Sequence, residues 1–162
     1  MTTGRTLTLE RSRWSRLWWV AALVALVAVA GWYVTHPAGL GSGAAVRATS
    51  KVGTPVYVAA LAGSPDRAVD IRSVEAEVGG DADVRALVCR GGSARSTADA
   101  RAFCAGLEPA EGAEVTAADS LLLRITPTGP GTVRVDRLRV DFRDGLQWGS
   151  SDVATDISVE AR

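Results

Sequence analysis

Histidine occurs once in this 162-residue chain, as His36, and lysine once, as Lys51. Serine–histidine–acid catalysis needs an imidazole held by a rigid scaffold within hydrogen-bond reach of its partner. His36 precedes a proline at the edge of an apolar run and is poorly placed for that. Cysteine occurs twice, as Cys89 and Cys104. Two thiols and a distant histidine do not complete a four-ligand zinc site, and the spacing is unlike the C-x-x-C of a redox pair. "GLGSG" and "PTGPG" lack the Lys-Ser/Thr of a phosphate loop and read as linker and turn. Acids and bases balance at 18 each, so no overall basic surface points to nucleic acid. No cofactor and no small-molecule substrate follows from the residues, and the chain reads as non-enzymatic.

What is present begins with a long apolar run. Residues 17–35, "LWWVAALVALVAVAGWYVT", carry no charge. As a helix the run is about 27–29 Å long, close to the roughly 30 Å of bilayer hydrocarbon. Trp14, Trp18 and Trp19 lie at one end, and Trp32 and Tyr33 at the other. Lipid–water interfaces favour amphipathic rings at both ends of a span. Arg5, Arg11, Arg13 and Arg16 precede it against a single acid, Glu10, and an arginine-rich flank stays cytoplasmic. The reading is a cytoplasmic tail over 1–16, a transmembrane helix over 17–35 and an extracytoplasmic remainder.

Cleavage is the competing reading. "AVA" (28–30) and the weaker "GAA" (43–45) have the small-x-small form of a signal-peptidase site. The run exceeds the usual signal core of about 7–15 residues, and a cut after Ala30 falls inside it, so a retained signal-anchor is preferred. Ala21, Ala25 and Ala28 form a small-residue stripe of the kind that packs helices in membranes, although alanine-rich composition explains it as simply.

Pro37 disfavours helical geometry at His36 and ends the span. The following "AGLGSGAAVRATS" has the Gly, Ser and Ala content of a flexible tether, expected over 36–53.

From residue 54 to 162 the pattern is of short alternating runs: 55–63, 68–78, 83–90, 121–126, 131–142, 146–149 and 153–161. "SPDR" supplies a turn between the first two. Seven or eight such strands suit a β-sandwich of Ig-like type, making the chain mainly β with one short helix. In "VRVDRLRVDF" the apolar phase slips by one between Val135 and Leu138, which a β-bulge at Asp136–Arg137 repairs. "FRDGLQW" is expected to turn through a three-residue loop, Arg143-Asp144-Gly145, with Gly145 in the left-handed position. That loop puts Trp148 in or near the core. "STADARAFCAGLEP" is expected to be a helix capped by Ser96 and stopped at Gly106, with Phe103 and Leu107 packing it onto the sheet.

Cys89 and Cys104 both fall on the oxidising side of the membrane and are expected to form a disulfide. Closing a loop of that length stabilises by roughly 3 kcal/mol. Asp81 and Asp83 sit in a turn, where a solvated pair is a plainer reading than a calcium site. Glu75/Glu77 and Asp136/Asp141 read as solvent-facing strand positions rather than a glycosidase pair.

The arginine-led span, "THPAGLGSG", "GTPVYVAAL", the cysteine pair and "GTVRVDRLRVDFRDGLQWGSS" together resemble small single-pass envelope proteins of actinobacteria with a compact β-rich outer domain. The resemblance implies a place in the cell envelope and transfers no active site. The function expected is a membrane-anchored, non-catalytic binding or accessory module. Its partners would be membrane lipid and another envelope or membrane protein. A secreted β-domain and a carboxylate-only hydrolase are the alternatives.

Overall fold

Apolar residues fill every face of the first helix, not one stripe of it, so no side of it is marked to fold onto a soluble core. The computed structural model describes residues 13–36, 39–62 and 67–162. Arg5, Arg11, Pro37 and the Ser64, Pro65 and Asp66 of the expected "SPDR" turn lie outside the described residues, as do the side chains of Arg13, Trp14 and Arg16. Helix α1 spans Arg13–Thr35. Its 18-residue window Leu17–Val34 is apolar and long enough to cross a membrane, and none of that window is buried against the rest of the chain.

The remainder of the described chain is mostly strands, which make it mainly β. In order they are β1 (Ser42–Gly43), β2 (Ala45–Ser50), β3 (Val56–Ala59), β4 (Leu61–Ala62), β5 (Val69–Gly79) and β6 (Ala82–Arg90). There follow β7 (Ser96–Thr97), β8 (Gly106–Pro109), β9 (Glu114–Val115), β10 (Ser120–Pro127), β11 (Gly131–Asp144) and β12 (Gln147–Ala161). One sheet has the order β7-β3-β10-β6-β8, the other β2-β12-β11-β5-β9, and β1 pairs only with β4.

The two sheets share one core. Val58, Val88, Leu121, Leu123 and Ile125 meet Ile71, Val135, Leu138, Val140, Phe142, Ile157 and Val159 in it. Each such side chain contributes about 1.5–3 kcal/mol on burial. The unbroken run "LLLRI" has a local cause. Leu121, Leu123 and Ile125 enter this core, while Leu122 points the other way into a second cluster with Cys89, Ala100 and Cys104. Strands covered on both faces lose their polar alternation.

Three local expectations change. Residues 42–50, expected within a flexible tether, form β1 and β2. Leu40, Ala44 and Val46 are core residues, and β2 runs parallel to β12 with Ala45 opposite Asp156 and Ser50 opposite Ala161. Gly43 is there for space: a Cβ would lie 1.9 Å from the Ala154 carbonyl oxygen. Glycine content marked a close approach of backbones rather than a loose chain.

The expected helix after Ser96 is a single 3₁₀ turn, Ala100–Ala102, capped by Asp99. Ser96 and Thr97 are instead paired with Val58 and Tyr57, and Cys104 is fixed by its bond to Cys89. The segment left between them is too short for a stable α-helix. Phe103 is exposed, and Gly106 and Leu107 belong to β8.

The turn of the β11–β12 hairpin also differs. Asp144 pairs with Gln147 and Arg143 with Trp148, leaving the two-residue loop Gly145-Leu146. Gly145 has φ of 58°, the glycine-first pattern of a type II′ turn, which suits the twist of the strands. The register therefore turns Gln147 inward and Trp148 outward, with Trp148 59% exposed. The bulge is where the phase slip placed it: pairing shifts between Val135 and Arg137 on both neighbours of β11.

Candidate functional site

Beside β2 the two sheets do not close on each other. A groove of about 920 Å³ runs there, lined by β2, by β7 and by the outer side chains of β11 and β12. Alternation along the strands builds its floor. Arg47, Ser158 and Arg134 stand side by side across β2, β12 and β11, and Thr49, Glu160 and Thr132 form the next row. Ser96 and Thr97 supply the opposite wall, and Asp136 of the bulge and Asp156 close one end. The lining is thus mainly hydroxyls and charges of both signs, with Ala48, Pro55, Val56 and Ala98 as its apolar part.

The groove also has a backbone wall. Strand β2 ends its sheet, and its even-numbered carbonyls point to β12, as Ala44 and Ser50 accept from Asp156 and Arg162. The backbone groups of Ala45, Arg47 and Thr49 face the other way, where the sheet has no further strand among the described residues. An extended peptide can pair with such an edge while side chains beside it set selectivity.

A different cluster, on β6, β8 and the turn before β10, is consumed internally. Arg90 bonds Asp119 at 2.7 Å, the Glu114 carbonyl at 2.5 Å, and Glu108. Asp119 also accepts from the Gly91 amide at 3.0 Å and from the Thr116 amide and hydroxyl at 3.0 and 2.8 Å. Burial alone would push the Asp119 carboxyl up, but these donors outweigh it and hold it at about 2. The side chain is a clamp on the fold, and its oxygens are occupied by it. No sequence motif announced this cluster beyond the short "TAAD" turn.

The residues singled out in the sequence scatter over the molecule. Cys89 and Cys104 are joined in a disulfide with Cα atoms 5.2 Å apart, on the outer side of β10 beside Leu122. Trp18, Trp19, Trp32 and Tyr33 are exposed on α1. His36 stacks on Trp32 at 3.7 Å between ring centroids and lies 3.0 Å from the Trp32 carbonyl oxygen through Nδ1. Glu75 and Glu77 stand opposite Arg139 and Arg137 on β11. The Asp141 carboxyl is held below the usual range, first by Ser150 and Ser73 hydroxyls. Asp83 is taken up by Arg85 at 3.2 Å. Among the described residues, no three His, Cys, Asp or Glu side chains are grouped to hold a metal ion. Asp144 pairs with Arg67, and Gly145 makes the hairpin turn.

Comparison with family models, with curated proteins and with solved structures returns no match in any of the three.

Proposed function

We propose that the chain is a single-pass membrane protein, with its N-terminus cytoplasmic, whose extracytoplasmic domain binds another envelope protein and catalyses nothing. The domain is read as an Ig-like sandwich. Strand order supports this: β3-β10-β6 and β12-β11-β5 correspond to the B-E-D and G-F-C ladders of that architecture, with β2 beside the last strand.

The observation that carries the binding role is the groove along the free edge of β2, where backbone and mixed charges are presented together. Retention of the anchor is supported by two placements. A cut after Ala30 would fall inside α1, five residues before its end, and a cut after Ala45 would remove Leu40 and Ala44 from the core. Both placements favour a retained anchor over processing at either small-x-small motif.

The test is copurification of the full-length chain from its membrane in mild detergent. A specific protein partner is expected, lost on Arg47→Glu combined with Arg134→Glu in a domain that still folds. Repeated recovery of the wild-type chain alone, or a partner indifferent to both substitutions, refutes the groove as the binding site. A mature N-terminus at residue 31 or 46 in the medium ends the anchored reading.

A further inference from the structure

We propose that the tip of the β11–β12 hairpin is a second membrane contact, seated in the phospholipid headgroup layer beside the outer end of α1. The inference rests on reading α1 as a membrane span.

The type II′ turn puts Leu146 at the apex, 76% exposed, and turns Trp148 outward beside it. Arg72 and Arg143 flank the indole, their guanidinium carbons 5.3 and 5.5 Å from its ring centroid. Arg72 reaches that position because it is the extra residue where β5 slips against Asp141 and Phe142. An apolar apex, a tryptophan and two arginines are the side chains that partition to a headgroup layer. The indole spans the polar–apolar boundary and the guanidinium groups bind phosphate in pairs of hydrogen bonds.

The place of this tip in the chain identifies its occupant. Gln147, between the two exposed residues, is buried and donates through its side-chain amide to the Tyr33 carbonyl. That carbonyl lies in the last turn of α1, where helical carbonyls lack an intrahelical partner. Tyr33 and Trp32 mark the outer interface of the span, so a tip bonded to Tyr33 lies at the same depth. The connection allows little else. Thr35 ends the helix and Leu40 is in the core, and five residues extend at most about 18 Å. The local acids do not oppose the contact strongly: Asp144 is paired with Arg67, and Asp70 stands beside Arg143 in register. The patch is therefore amphiphilic with a small positive excess.

Two full-length single-tryptophan chains test the proposal in vesicles of phosphatidylcholine and phosphatidylglycerol containing lipids brominated near the headgroup. One retains Trp148 after Trp14→Phe, Trp18→Phe, Trp19→Phe and Trp32→Phe. The other retains Trp32, with Trp148→Phe in its place. Both fluorophores are expected to be quenched by bromolipid and shielded from aqueous iodide. Arg72→Gln with Arg143→Gln is expected to lower the docked-to-undocked ratio of Trp148 roughly fivefold per arginine, with unchanged β-sheet circular dichroism. Trp148 open to iodide and unquenched while Trp32 is quenched overturns the tip contact and leaves the anchor standing. If neither is quenched, the anchor reading fails and this inference falls with it.

Discussion

Asp119→Asn is the substitution whose cost the structure fixes best. The carboxylate is 4% exposed and receives the Gly91 amide on one oxygen and the Thr116 amide, the Thr116 hydroxyl and Arg90 on the other. An amide keeps one acceptor oxygen and turns an NH₂ toward the remaining donors. Those donors lose a charged acceptor that is itself buried, at about 1–3 kcal/mol for each buried group left unpaired. A total of about 3 kcal/mol is expected, a large share of the 5–15 kcal/mol typical of a domain. The measurement is urea unfolding of the full-length chain in detergent, followed by β-sheet circular dichroism. The pH dependence is the sharper part. The folded carboxyl sits at about 2 against 3.8 for an unperturbed aspartate. A depressed folded value gives stability that is fully present above about pH 4 and lost as pH falls through about 2, worth about 2 kcal/mol. Asparagine does not titrate, so the gap between wild type and variant should narrow by that amount across this window. A gap that stays constant down to about pH 2, or a variant within about 0.5 kcal/mol of wild type at neutral pH, refutes the assignment of Asp119 as a charged clamp.

Two further outcomes are expected. Reducing the Cys89–Cys104 bond, which closes 15 residues of chain, should destabilise the domain by about 3 kcal/mol, and a thiol reagent should label both cysteines only after reduction. Gly43→Ala should displace β1 from β12, because its methyl group would overlap the Ala154 backbone. The loss should exceed the fraction of a kilocalorie typical of surface changes, whereas Gly39→Ala, with open space around it, should be close to neutral.

The long elements were legible in the sequence because each advertises one period. β5, β6, β10 and β11 start and stop within a few residues of the apolar runs that mark them, and the bulge at Asp136 follows from the slip between Val135 and Leu138. What was illegible depended on partners distant in the chain. Ala45–Ser50 has no composition of its own that says strand; it becomes one because β12 offers an edge more than a hundred residues later. Ser96 and Asp99 carry a valid helix-start signal, overruled by pairing to β3 and by the Cys104 bond. The hairpin was misjudged for a reason that is local and instructive. Placing every apolar side chain on one face required a three-residue loop, whereas glycine at the first position of a two-residue turn fixes the register by backbone geometry. The cost of that register is an exposed tryptophan, and its gain is a glutamine aimed at the end of α1. The groove residues were therefore scattered in the sequence among a tether (Arg47, Thr49), a helix (Ser96, Thr97) and polar strand positions (Arg134, Ser158), and the tip was hidden inside what looked like core.

The proposed partner groove and the proposed membrane contact sit at opposite ends of the same hairpin. β12 leaves Gln147 beside α1 and reaches Asp156, Ser158 and Glu160 in the groove. Eleven residues of strand separate Gln147 from Ser158, about 36 Å at strand rise. If the tip rests at the membrane surface, as proposed, the groove stands at the far end of the hairpin from it. On that placement a partner bound at the groove would itself project from the membrane, and its own span would not need to touch α1. Replacing Leu17–Val34 by an unrelated apolar helix of equal length, with the interfacial aromatics kept, should leave copurification intact. Loss of the partner on that exchange would move the contact into the bilayer, onto the exposed stripe of Ala21, Ala25 and Ala28, and would refute the groove as the place where it binds.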